Sequence, residues 1–314
     1  MTTRLITVFG ASGFVGRYVV QRLARQGHRI RAATRKPHEA LFLKPMGNVG
    51  QIQLVEANLR NAASVKAAVE GADAVVNLVG ILAESGKQSF EALQAQGPGL
   101  IAKAAAQAGA RSFVHVSAIG ADAQSKAAYQ RTKAKGEEAV RAGFAEAVIL
   151  RPSLVFGPED EFYNRFAGMI KLAPAMPLIA GKTRFQPVYV ADVAEAVVRA
   201  LDPHSPARGK IYELGGPRTY SFKEILDYIM DTIGVRRPFV PIPVPVAKLQ
   251  ARFLQLLPNP PLTVGQVIML SKDNVVSADM PGLADLGITP TAVEAVVPSY
   301  LVHYRPQGQF AGRT

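Results

Sequence analysis

Short apolar runs alternate with longer segments of helical periodicity in the first half of the chain. The residues Leu5–Phe9 are apolar or β-prone and run into a glycine-rich turn, after which Val15, Val19 and Leu23 recur every four residues. This pattern predicts a strand, a tight turn and an amphipathic helix. Similar runs predict further strands at Arg29–Thr34, Gln53–Glu56, Ala74–Val79, Ser112–Val116 and Ala145–Leu150. A helix is predicted for Phe90–Ala108.

The turn after the first strand, Gly10-Ala11-Ser12-Gly13-Phe14-Val15-Gly16, has the spacing of a dinucleotide-binding loop. In such a loop the first glycine allows the tight turn, the second lets the backbone approach a pyrophosphate, and the third lets the helix pack against the strand. The helix N-terminus then presents unpaired N–H groups and a positive dipole end to the phosphates. The context of strand, turn and helix favours a bound dinucleotide over a purely structural turn.

The alternation of strands and helices predicts a Rossmann-type α/β fold, with a doubly wound, mostly parallel sheet and helices on both faces. The pattern changes after Arg151-Pro152, where proline becomes frequent and the alternation breaks. We therefore expect a dinucleotide-binding domain over residues 1–150. Residues 151–314 are expected to complete the sheet and to form a smaller capping or docking lobe. The run Lys210–Leu214 is predicted to return one strand to the sheet.

The end of the second strand bears on which dinucleotide is bound. An NAD site usually has an acidic residue here, which hydrogen-bonds the ribose 2′-OH. This chain has Arg35 and Lys36 instead, and its next acidic residue is Glu39. Positive charge at this place predicts NADP(H), through contacts to the 2′-phosphate, over NAD(H). The alternative is that the two basic residues merely open a solvated loop.

Tyr129 and Lys133 are four residues apart in a predicted helix and therefore share one face. A lysine beside a tyrosine hydroxyl lowers the pKa of the phenol and can also hold the nicotinamide ribose, so the tyrosine can act as general acid or base in hydride transfer. A hydroxyl that orients a substrate carbonyl is expected after the fifth strand. Either Ser117 or Ala118 occupies that place, so catalytic turnover stays an open question.

Several stretches resemble the extended and atypical short-chain dehydrogenase/reductase superfamily: GASGFVG, NLVG at 77–80, HVSAIG at 115–120, YQRTK at 129–133, RPSLVFGPED at 151–160 and PVYVADVAEAV at 187–197. Within it, YQRTKAKGEEAVR and MPGLADLGI at 280–288 are similar to the family of NADPH-binding accessory subunits of respiratory complex I, above all to bacterial relatives. The resemblance covers nearly the whole chain. It implies bound NADPH without demonstrated turnover, and docking on core subunits beside the quinone-reducing region.

The resemblance also implies the residues of the cofactor site. By position these are Gly10, Ser12, Gly13, Phe14, Val15 and Gly16 at the phosphates, Arg35 and Lys36 at the 2′-phosphate, Asn58 and Leu59 on the adenine side, Leu78, Val79 and Gly80 along the crevice, Ser117, Tyr129 and Lys133 at the ribose, and Pro152 and Ser153 near the nicotinamide. Asn58 stands where an aspartate is common, which implies a weaker adenine contact.

The segment Pro245–Leu257 is predicted to be an amphipathic helix. One face carries the apolar residues Val246, Leu249, Phe253 and Leu257, and beside it lie Lys248 and Arg252. One interpretation is an ordinary core-facing helix of the smaller lobe. The other is a helix on a membrane or partner surface, with its basic residues toward anionic lipid. The flanking prolines and the net charge of +12 favour the second.

The composition narrows the classes of function and location. There is no cysteine, and the five histidines have no metal-ligand spacing, so neither disulfides nor a metal site are expected. Neither a long basic run nor an interleaving of aromatic and basic residues is present, so no nucleic-acid partner is expected. The chain leads directly into its first strand and has no apolar run of membrane length, which predicts a protein without signal peptide or transmembrane helix.

Two hypotheses follow. The first is an NADPH-binding, non-catalytic accessory or assembly subunit of respiratory complex I (NADH:quinone oxidoreductase), held peripherally on the cytoplasmic side of the bacterial inner membrane. The alternative is a stand-alone NADPH-dependent reductase, dehydratase or epimerase, with Tyr129 as the acid or base and Lys133 as its electrostatic support. Both hypotheses use Tyr129 and Lys133, whereas MPGLADLGI and the basic amphipathic helix favour the first.

Overall fold

The computed structural model describes residues 3–255, 257, 262–306 and 308, and the chain divides into two compact units. Unit 1 is formed by the ranges Met1–Pro152, Val190–Leu214 and Ser277–Thr289. Unit 2 is formed by the ranges Ser153–Tyr189, Gly215–Val276 and Pro290–Thr314. Both units are therefore discontinuous in sequence.

Unit 1 is built around a seven-stranded sheet. Its strands are β1 (Leu5–Phe9), β2 (Arg29–Thr34), β3 (Ile52–Glu56), β4 (Ala74–Asn77), β5 (Ser112–Val116), β6 (Val148–Pro152) and β11 (Ile211–Leu214). They lie in the order β11-β6-β5-β4-β1-β2-β3, and each pairing is parallel. The order reverses between β1 and β4, and the carboxyl ends of strands at such a point bound the crevice where an open α/β sheet binds ligands.

The described α-helices of unit 1 connect these strands. They are α1 (Phe14–Arg25), α2 (Ala62–Val69), α3 (Gly97–Gln107), α4 (Ala128–Gly143) and α6 (Val190–Ala200). Right-handed crossovers place α1, which connects β1 to β2, and the group α2, α3 and α4 on opposite faces of the sheet. α1 packs with α6, whereas α2, α3 and α4 pack with one another. The predicted Rossmann-type α/β fold with a parallel sheet is confirmed.

Strand boundaries agree with the sequence pattern except where a local turn ends the strand. β1, β2 and β5 have the predicted bounds, β3 begins one residue before the predicted Gln53, and β11 lies within the predicted run. β4 ends at Asn77, because the Asn77 side chain accepts the Val79 N–H over 3.1 Å and turns the chain. The sixth strand is shifted from the predicted Ala145–Leu150, because the Ala147 N–H closes a turn onto the Phe144 carbonyl over 3.0 Å.

Apolar burial holds the helices of unit 1 on the sheet. Val19, Val20 and Leu23 form the buried face of α1. On the other side, one cluster joins the sheet to α2, α3 and α4 through residues that include Phe9, Val75, Ile101, Phe113 and Val140. Each such side chain contributes roughly 1.5–3 kcal/mol relative to an exposed position.

Arg151 on β6, itself half-buried, forms an ion-pair cluster with two buried carboxylates. Its guanidinium donates two hydrogen bonds to Glu137 on α4, of 2.9 and 2.6 Å, and lies 3.6 Å from Glu213 on β11. The hydrogen bond to Glu137 raises the pKa of Arg151. Glu213 also accepts the Ser277 N–H over 2.9 Å. One cation thus links a helix, two strands and the segment that carries MPGLADLGI.

The MPGLADLGI segment, Met280–Ile288, covers the edge of the sheet of unit 1. The Pro281 carbonyl accepts the Glu213 N–H of β11 over 2.9 Å. Arg199 of α6 donates to the carbonyls of Leu286 and Gly287 over 2.8 and 2.9 Å. Leu283, Leu286 and Ile288 are buried. This stretch therefore has a structural role within unit 1.

Unit 2 combines short strands with further helices. They are β7 (Val155–Phe156), α5 (Phe162–Leu172), β8 (Met176–Ile179), β9 (Arg184–Phe185), β10 (Val188–Tyr189), β12 (Tyr220–Ser221), α7 (Phe222–Ile233), β13 (Phe239–Ile242), α8 (Val244–Leu254), α9 (Val264–Leu270) and α10 (Val293–Leu301). The strands pair as β7–β10 and β8–β13, both parallel, and β9–β12, antiparallel. Aromatic rings dominate the core, where Phe162 packs against Phe166, Phe185 and Phe222.

Asp160, in the RPSLVFGPED stretch, is a buried hub of unit 2. Its carboxylate accepts the Tyr163 N–H at the start of α5 over 2.6 Å and the Gly157 N–H over 3.2 Å. The Tyr300 hydroxyl of α10 donates to it over 2.6 Å. Burial raises the pKa of Asp160, and these hydrogen bonds oppose the rise. The aspartate thus caps one helix and fixes another.

α8 buries a different face from the one that the core-facing interpretation requires. Ala247 and Ala251 are buried against Ile179 and Val267. The apolar stripe is exposed instead, by 45% at Val246, 59% at Leu249 and 66% at Phe253. At 3.6 residues per turn the two faces lie roughly half a turn apart. The interpretation of the stripe as core-facing is therefore wrong, and α8 ends at Leu254, before the predicted Leu257.

Over the described part of the chain, none of the helices combines the length and the apolar character that crossing a membrane requires.

Replacing Arg151 by methionine should lower the free energy of unfolding by about 3 kcal/mol, because two buried carboxylates lose their shared cation. Urea denaturation at neutral pH measures this loss. Lys135→Met is the matched control, since Lys135 lies on the same helix as Glu137 and pairs with Glu91 at the surface over 3.6 Å. Its removal should cost less than about 1 kcal/mol. Equal losses in the two variants would contradict the role assigned to the buried cluster.

Candidate functional site

The turn after β1 forms the centre of the candidate site in unit 1. Gly10 has φ +77°, and a Cβ there would lie 3.1 Å from the Leu78 carbonyl carbon. A Cβ on Gly16 would overlap the Gly10 carbonyl oxygen. Only glycine fits the first position without strain, and only glycine lets α1 lie directly on the turn. The sequence of this loop therefore fixes where α1 begins.

The N-terminus of α1 points its unpaired amides at the ends of the strands. Gly13 is the N-cap residue, no side chain caps the helix, and no acidic residue lies in its first turn. The first N–H groups of a helix have no partner within it, and the dipole adds positive potential there. Nearby, Ser12 Oγ lies 3.4 Å from Thr34 Oγ1 at the end of β2. This arrangement suits an anion such as a pyrophosphate.

The two basic residues after β2 differ in what they contact. Both are exposed. Lys36 Nζ donates to Glu39 over 2.6 Å, and this bond lowers the pKa of the Glu39 carboxyl. Within the described ranges, no carboxylate pairs with Arg35. Of the two predicted contacts to a 2′-phosphate, Arg35 is thus the one whose charge is available to a ligand.

The predicted adenine-side residues are partly occupied by local contacts. Asn58 Oδ1 accepts a hydrogen bond from the backbone N–H of Arg60 over 3.1 Å. The backbone N–H of Asn58 donates to Ser64 Oγ over 3.0 Å. The Leu59 side chain belongs to the buried cluster around α2 and α3. Its side chain is therefore unavailable to a ligand. At the end of β4, Leu78 and Val79 are half-buried and Gly80 is exposed.

A buried polar pair links β4 and β5 beneath the crevice. Asn77 Nδ2 lies 3.2 Å from His115 Nδ1, and His115 Nε2 has no hydrogen-bond partner among the described residues. Burial lowers the pKa of His115 to about 3, so the ring is neutral at physiological pH. From the sequence, the histidines were considered only as metal ligands, and this pair was not predicted. The available signal was His115 within β5, two residues before Ser117, the first residue after the strand.

Ser117 and Lys133 Nζ both lie near the carboxyl end of β5. Ser117 is 4% exposed, and its Oγ has no partner within the described part of the chain. Lys133 Nζ lies 3.4 Å from the Val116 carbonyl oxygen, and a Cβ on Gly80 would be 3.3 Å from it. Burial lowers the pKa of Lys133 to about 8, an effect that Glu137 opposes. A buried ammonium and a buried hydroxyl therefore face the site.

Tyr129 differs from the sequence expectation. Its ring packs edge-on against Phe90, with centroids 5.9 Å apart, and Lys133 Nζ lies 5.9 Å from its centroid. Burial raises the pKa of the Tyr129 hydroxyl to about 12. The predicted lowering of this pKa by Lys133 is therefore wrong for the protein without a ligand, because desolvation of the phenolate is the larger effect. Phe90, which contributes to this environment, was not predicted as a site residue.

Pro152 and Ser153, which were predicted to lie near the nicotinamide, belong to different units. Pro152, at the end of β6 in unit 1, is buried, and its carbonyl accepts the Ile119 N–H over 3.0 Å. Ser153 belongs to unit 2, where its Oγ lies 2.6 Å from Asn274 Oδ1 and 2.9 Å from the Asn274 carbonyl oxygen. All the other predicted site residues belong to unit 1.

Comparisons with known proteins agree with this geometry. Residues 6–215 match the NAD dependent epimerase/dehydratase family. The chain is 39% identical to NADH dehydrogenase (ubiquinone) 1 alpha subcomplex subunit 9 of Mus musculus, over 92% of this chain and 77% of that protein. It is 33% identical to the NADH-ubiquinone oxidoreductase 40 kDa subunit of Neurospora crassa, over 97% of this chain and 80% of that protein.

Solved structures share the fold at lower identity. The NADPH-dependent quinone oxidoreductase QOR2 of Escherichia coli, solved with NADPH, matches with a TM-score of 0.75 and 19% identity. The match covers 94% of this chain and 99% of that one. At this identity the likeness concerns the fold alone.

We expect Lys133→Met to stabilise the nucleotide-free protein. The pKa of Lys133 lies near 8 in the folded protein, against an ordinary value of 10.5. Between these two values the unfolded chain binds more protons, so the free energy of unfolding should rise with pH from about 8 to about 10.5. Below this window both states are protonated and the destabilisation is complete. The variant should be more stable at pH 7 by on the order of 3 kcal/mol.

Urea denaturation between pH 7 and pH 10.5 measures both effects. Lys103→Met, on the exposed face of α3, is the control and should keep the rise with pH. If Lys133→Met kept the same rise as the control, the buried-ammonium interpretation would fail.

Proposed function

The chain belongs to the NAD dependent epimerase/dehydratase family, within the extended short-chain dehydrogenases/reductases, and from this premise we propose that it is an NADPH-binding, non-catalytic accessory subunit of respiratory complex I. The observation that carries the proposal is the 39% identity to a named subunit of NADH dehydrogenase over 92% of this chain. The proposed place is on core subunits near the quinone-reducing region, where the subunit acts in assembly or in stabilising the complex.

The residues of unit 1 fit a nicotinamide dinucleotide. The uncapped start of α1 would hold the pyrophosphate with backbone N–H groups. Ser117 offers a buried hydroxyl without a described partner, and Lys133 offers a buried ammonium beside Gly80. Together with Tyr129, they would donate hydrogen bonds to the nicotinamide ribose. When bound, the nicotinamide supplies a hydride donor or acceptor.

The proposed preference for NADP(H) rests on the charge at the end of β2. Arg35 is exposed, and no acidic residue there could hold the ribose 2′-OH of NAD. Lys36 would add less, because it already donates to Glu39 over 2.6 Å. A guanidinium can hold a phosphate with two parallel hydrogen bonds, which makes Arg35 the proposed 2′-phosphate contact.

The proposed lack of turnover rests on the surroundings of Tyr129. The raised pKa of its phenol, about 12, makes it a weaker general base than an ordinary tyrosine, so of the two acid–base roles only proton donation stays accessible at neutral pH. The next residue after Ser117 is Ala118, so the sequence offers few hydroxyls to orient a substrate carbonyl. Bound NADPH would then serve stability, since a ligand that binds the native state alone stabilises it by mass action.

We place the protein peripherally on the cytoplasmic side of the inner membrane. The relatives are subunits of NADH–ubiquinone oxidoreductases, and α8 exposes an apolar stripe beside Lys248 and Arg252. Each basic residue near an anionic surface contributes about 1 kcal/mol, so these two give weak lipid binding. Contact with the core subunits would supply most of the attachment.

A second candidate function is a stand-alone NADPH-dependent reductase, dehydratase or epimerase. The Ser117 hydroxyl, which has no hydrogen-bond partner among the described residues, favours it, since it lies just after β5, where such enzymes orient a carbonyl. Tyr129 would then donate a proton to the substrate, and Lys133 would hold the ribose. A robust rate with a carbonyl or nucleotide-sugar substrate, abolished by Tyr129→Phe, would favour this candidate.

We expect the purified protein to bind NADPH at least tenfold more tightly than NADH, because a bidentate charge-assisted contact to the 2′-phosphate contributes about 1.5 kcal/mol or more. Calorimetric titration of both nucleotides measures the ratio. Arg35→Asp should reverse the preference. Lys36→Gln is the matched control and should change it little, because Lys36 pairs with Glu39. Comparable affinities for the two nucleotides in the unaltered protein would contradict the assignment.

We expect the protein to migrate with complex I subunits on mild-detergent gels of isolated membranes. Association with a large complex that carries the membrane attachment explains how a chain with weak lipid affinity would sediment with membranes. Immunodetection on the gel and mass spectrometry of the band measure the association. If the protein stays in the soluble fraction at low salt and never migrates with complex I subunits, the accessory-subunit hypothesis fails. The stand-alone enzyme is then the better hypothesis.

A further inference from the structure

Unit 2 contains a cavity of about 1020 Å³ that the nucleotide site does not use. It lies at the carboxyl ends of β8 and β13, and residues at the starts of α7 and α8 contribute to its lining. Its lining includes the apolar side chains Leu178, Ile242 and Val244 and the cationic side chains Lys182, Arg184 and Lys223. The cavity therefore has an apolar wall and a basic rim.

The rim carries more positive than negative charge. Glu224 is its one lining carboxylate, and the Ser221 N–H donates to it over 2.6 Å. This bond is the largest cause of the lowered pKa of Glu224, to which Arg184 also contributes. Lys223 is engaged as well, since its Nζ donates to Asp227 over 2.6 Å. Lys182 and Arg184 are exposed, and the described residues include no ion pair to either.

The backbone amides at the N-terminus of α7 would not bind a ligand here, because they already have hydrogen-bond partners. The Phe222 and Lys223 amides donate to the carbonyls of Thr183 and Gly181 over 2.8 and 3.0 Å. The Glu224 amide donates to Ser221 Oγ over 3.2 Å. These bonds fix the loop that carries Lys182 and leave the first amides of the helix occupied. An anion in the cavity would be held by side chains.

An exposed apolar surface continues from the mouth of the cavity. The lining residues Ile242, Pro243 and Val244 join the end of β13 to the start of α8. Beyond them lies the apolar stripe, whose side chains are 45–66% exposed: Val246, Leu249, Phe253 and Leu257. Contiguous exposed apolar patches mark interaction sites in soluble proteins. Lys248 and Arg252, also exposed, flank this stripe.

We propose that the cavity of unit 2 binds the phosphate headgroup of an anionic phospholipid, whose acyl chains lie along the apolar stripe of α8. A ligand that matches both features must be an amphiphile with one compact anionic group and a long apolar part. Free phosphate shares the headgroup chemistry but gains nothing from α8. The inference deepens the peripheral membrane placement under the proposed function and names the lipid class and the residues that select it.

The test uses the full chain and vesicles of phosphatidylcholine, with and without phosphatidylglycerol, near physiological salt, where the screening length is about 8 Å. Sedimentation should show at least a tenfold preference for the anionic vesicles. The double variant Lys182→Glu/Arg184→Glu should lose most of that preference. The control is Lys66→Glu/Lys171→Glu, which makes the same change in net charge at exposed residues that do not line the cavity. This control should keep the preference for anionic vesicles. Equal losses in both double variants would overturn the site.

A second variant separates headgroup from acyl-chain binding. Leu249→Ser/Phe253→Ser should reduce binding to both kinds of vesicle at least tenfold, while leaving the circular dichroism spectrum and NADPH binding unchanged. Titration with inorganic phosphate forms the other arm. If phosphate saturates the unaltered protein at low concentration and vesicles do not bind, the cavity is a free-phosphate site and the proposal is wrong. Binding that ignores phosphatidylglycerol would also overturn it.

Migration with complex I is measured on the same variants, so that the two proposals fail separately. Vesicle selectivity that depends on Lys182 and Arg184 supports the lipid site even where migration with complex I is absent. A protein that migrates with complex I but never prefers anionic vesicles keeps the proposed function and loses the lipid site.

Discussion

The close contact between the turn after β1 and helix α1 is the constraint on which the site depends. Neither Gly10 nor Gly16 can carry a side chain, because a Cβ at the first would crowd the Leu78 backbone and one at the second would overlap the turn. This contact holds the uncapped start of α1 at the carboxyl ends of the central strands. The anion-binding geometry of the crevice follows from backbone packing, before any charged side chain is considered.

Unit 1 contains two cations in largely buried surroundings, Arg151 and Lys133, and they have opposite effects on folding stability. Arg151 is satisfied by two carboxylates and ties the edge of the sheet to α4. Lys133, one helical turn before Glu137, is buried with a carbonyl oxygen 3.4 Å away. The first arrangement stabilises the fold, whereas the second costs folding free energy. Buried groups with strongly shifted pKa values are typical of functional sites, and a bound nucleotide would offset that cost.

The two stretches that favoured the accessory-subunit hypothesis have different roles. MPGLADLGI buries its leucines and isoleucine and covers the edge of the sheet of unit 1, so its role in this structure is packing. α8 does the opposite, because its large apolar residues face outward and its alanines face the core. We propose that a surface of this second kind adapts the shared fold to attachment.

The sequence by itself determined the strands of the sheet, the glycine turn, the shared face of Tyr129 and Lys133 and the basic end of β2. These features are local, since side-chain periodicity and turn chemistry fix them within a few residues. Tertiary structure alone decided the raised pKa of Tyr129, the pairing of Asn77 with His115, and which face of α8 is buried. Each of these depends on desolvation or contact by residues distant in the sequence. Helical periodicity shows that α8 has an apolar stripe, but only the packing of Ala247 against Ile179 and Val267 decides that the stripe faces outward.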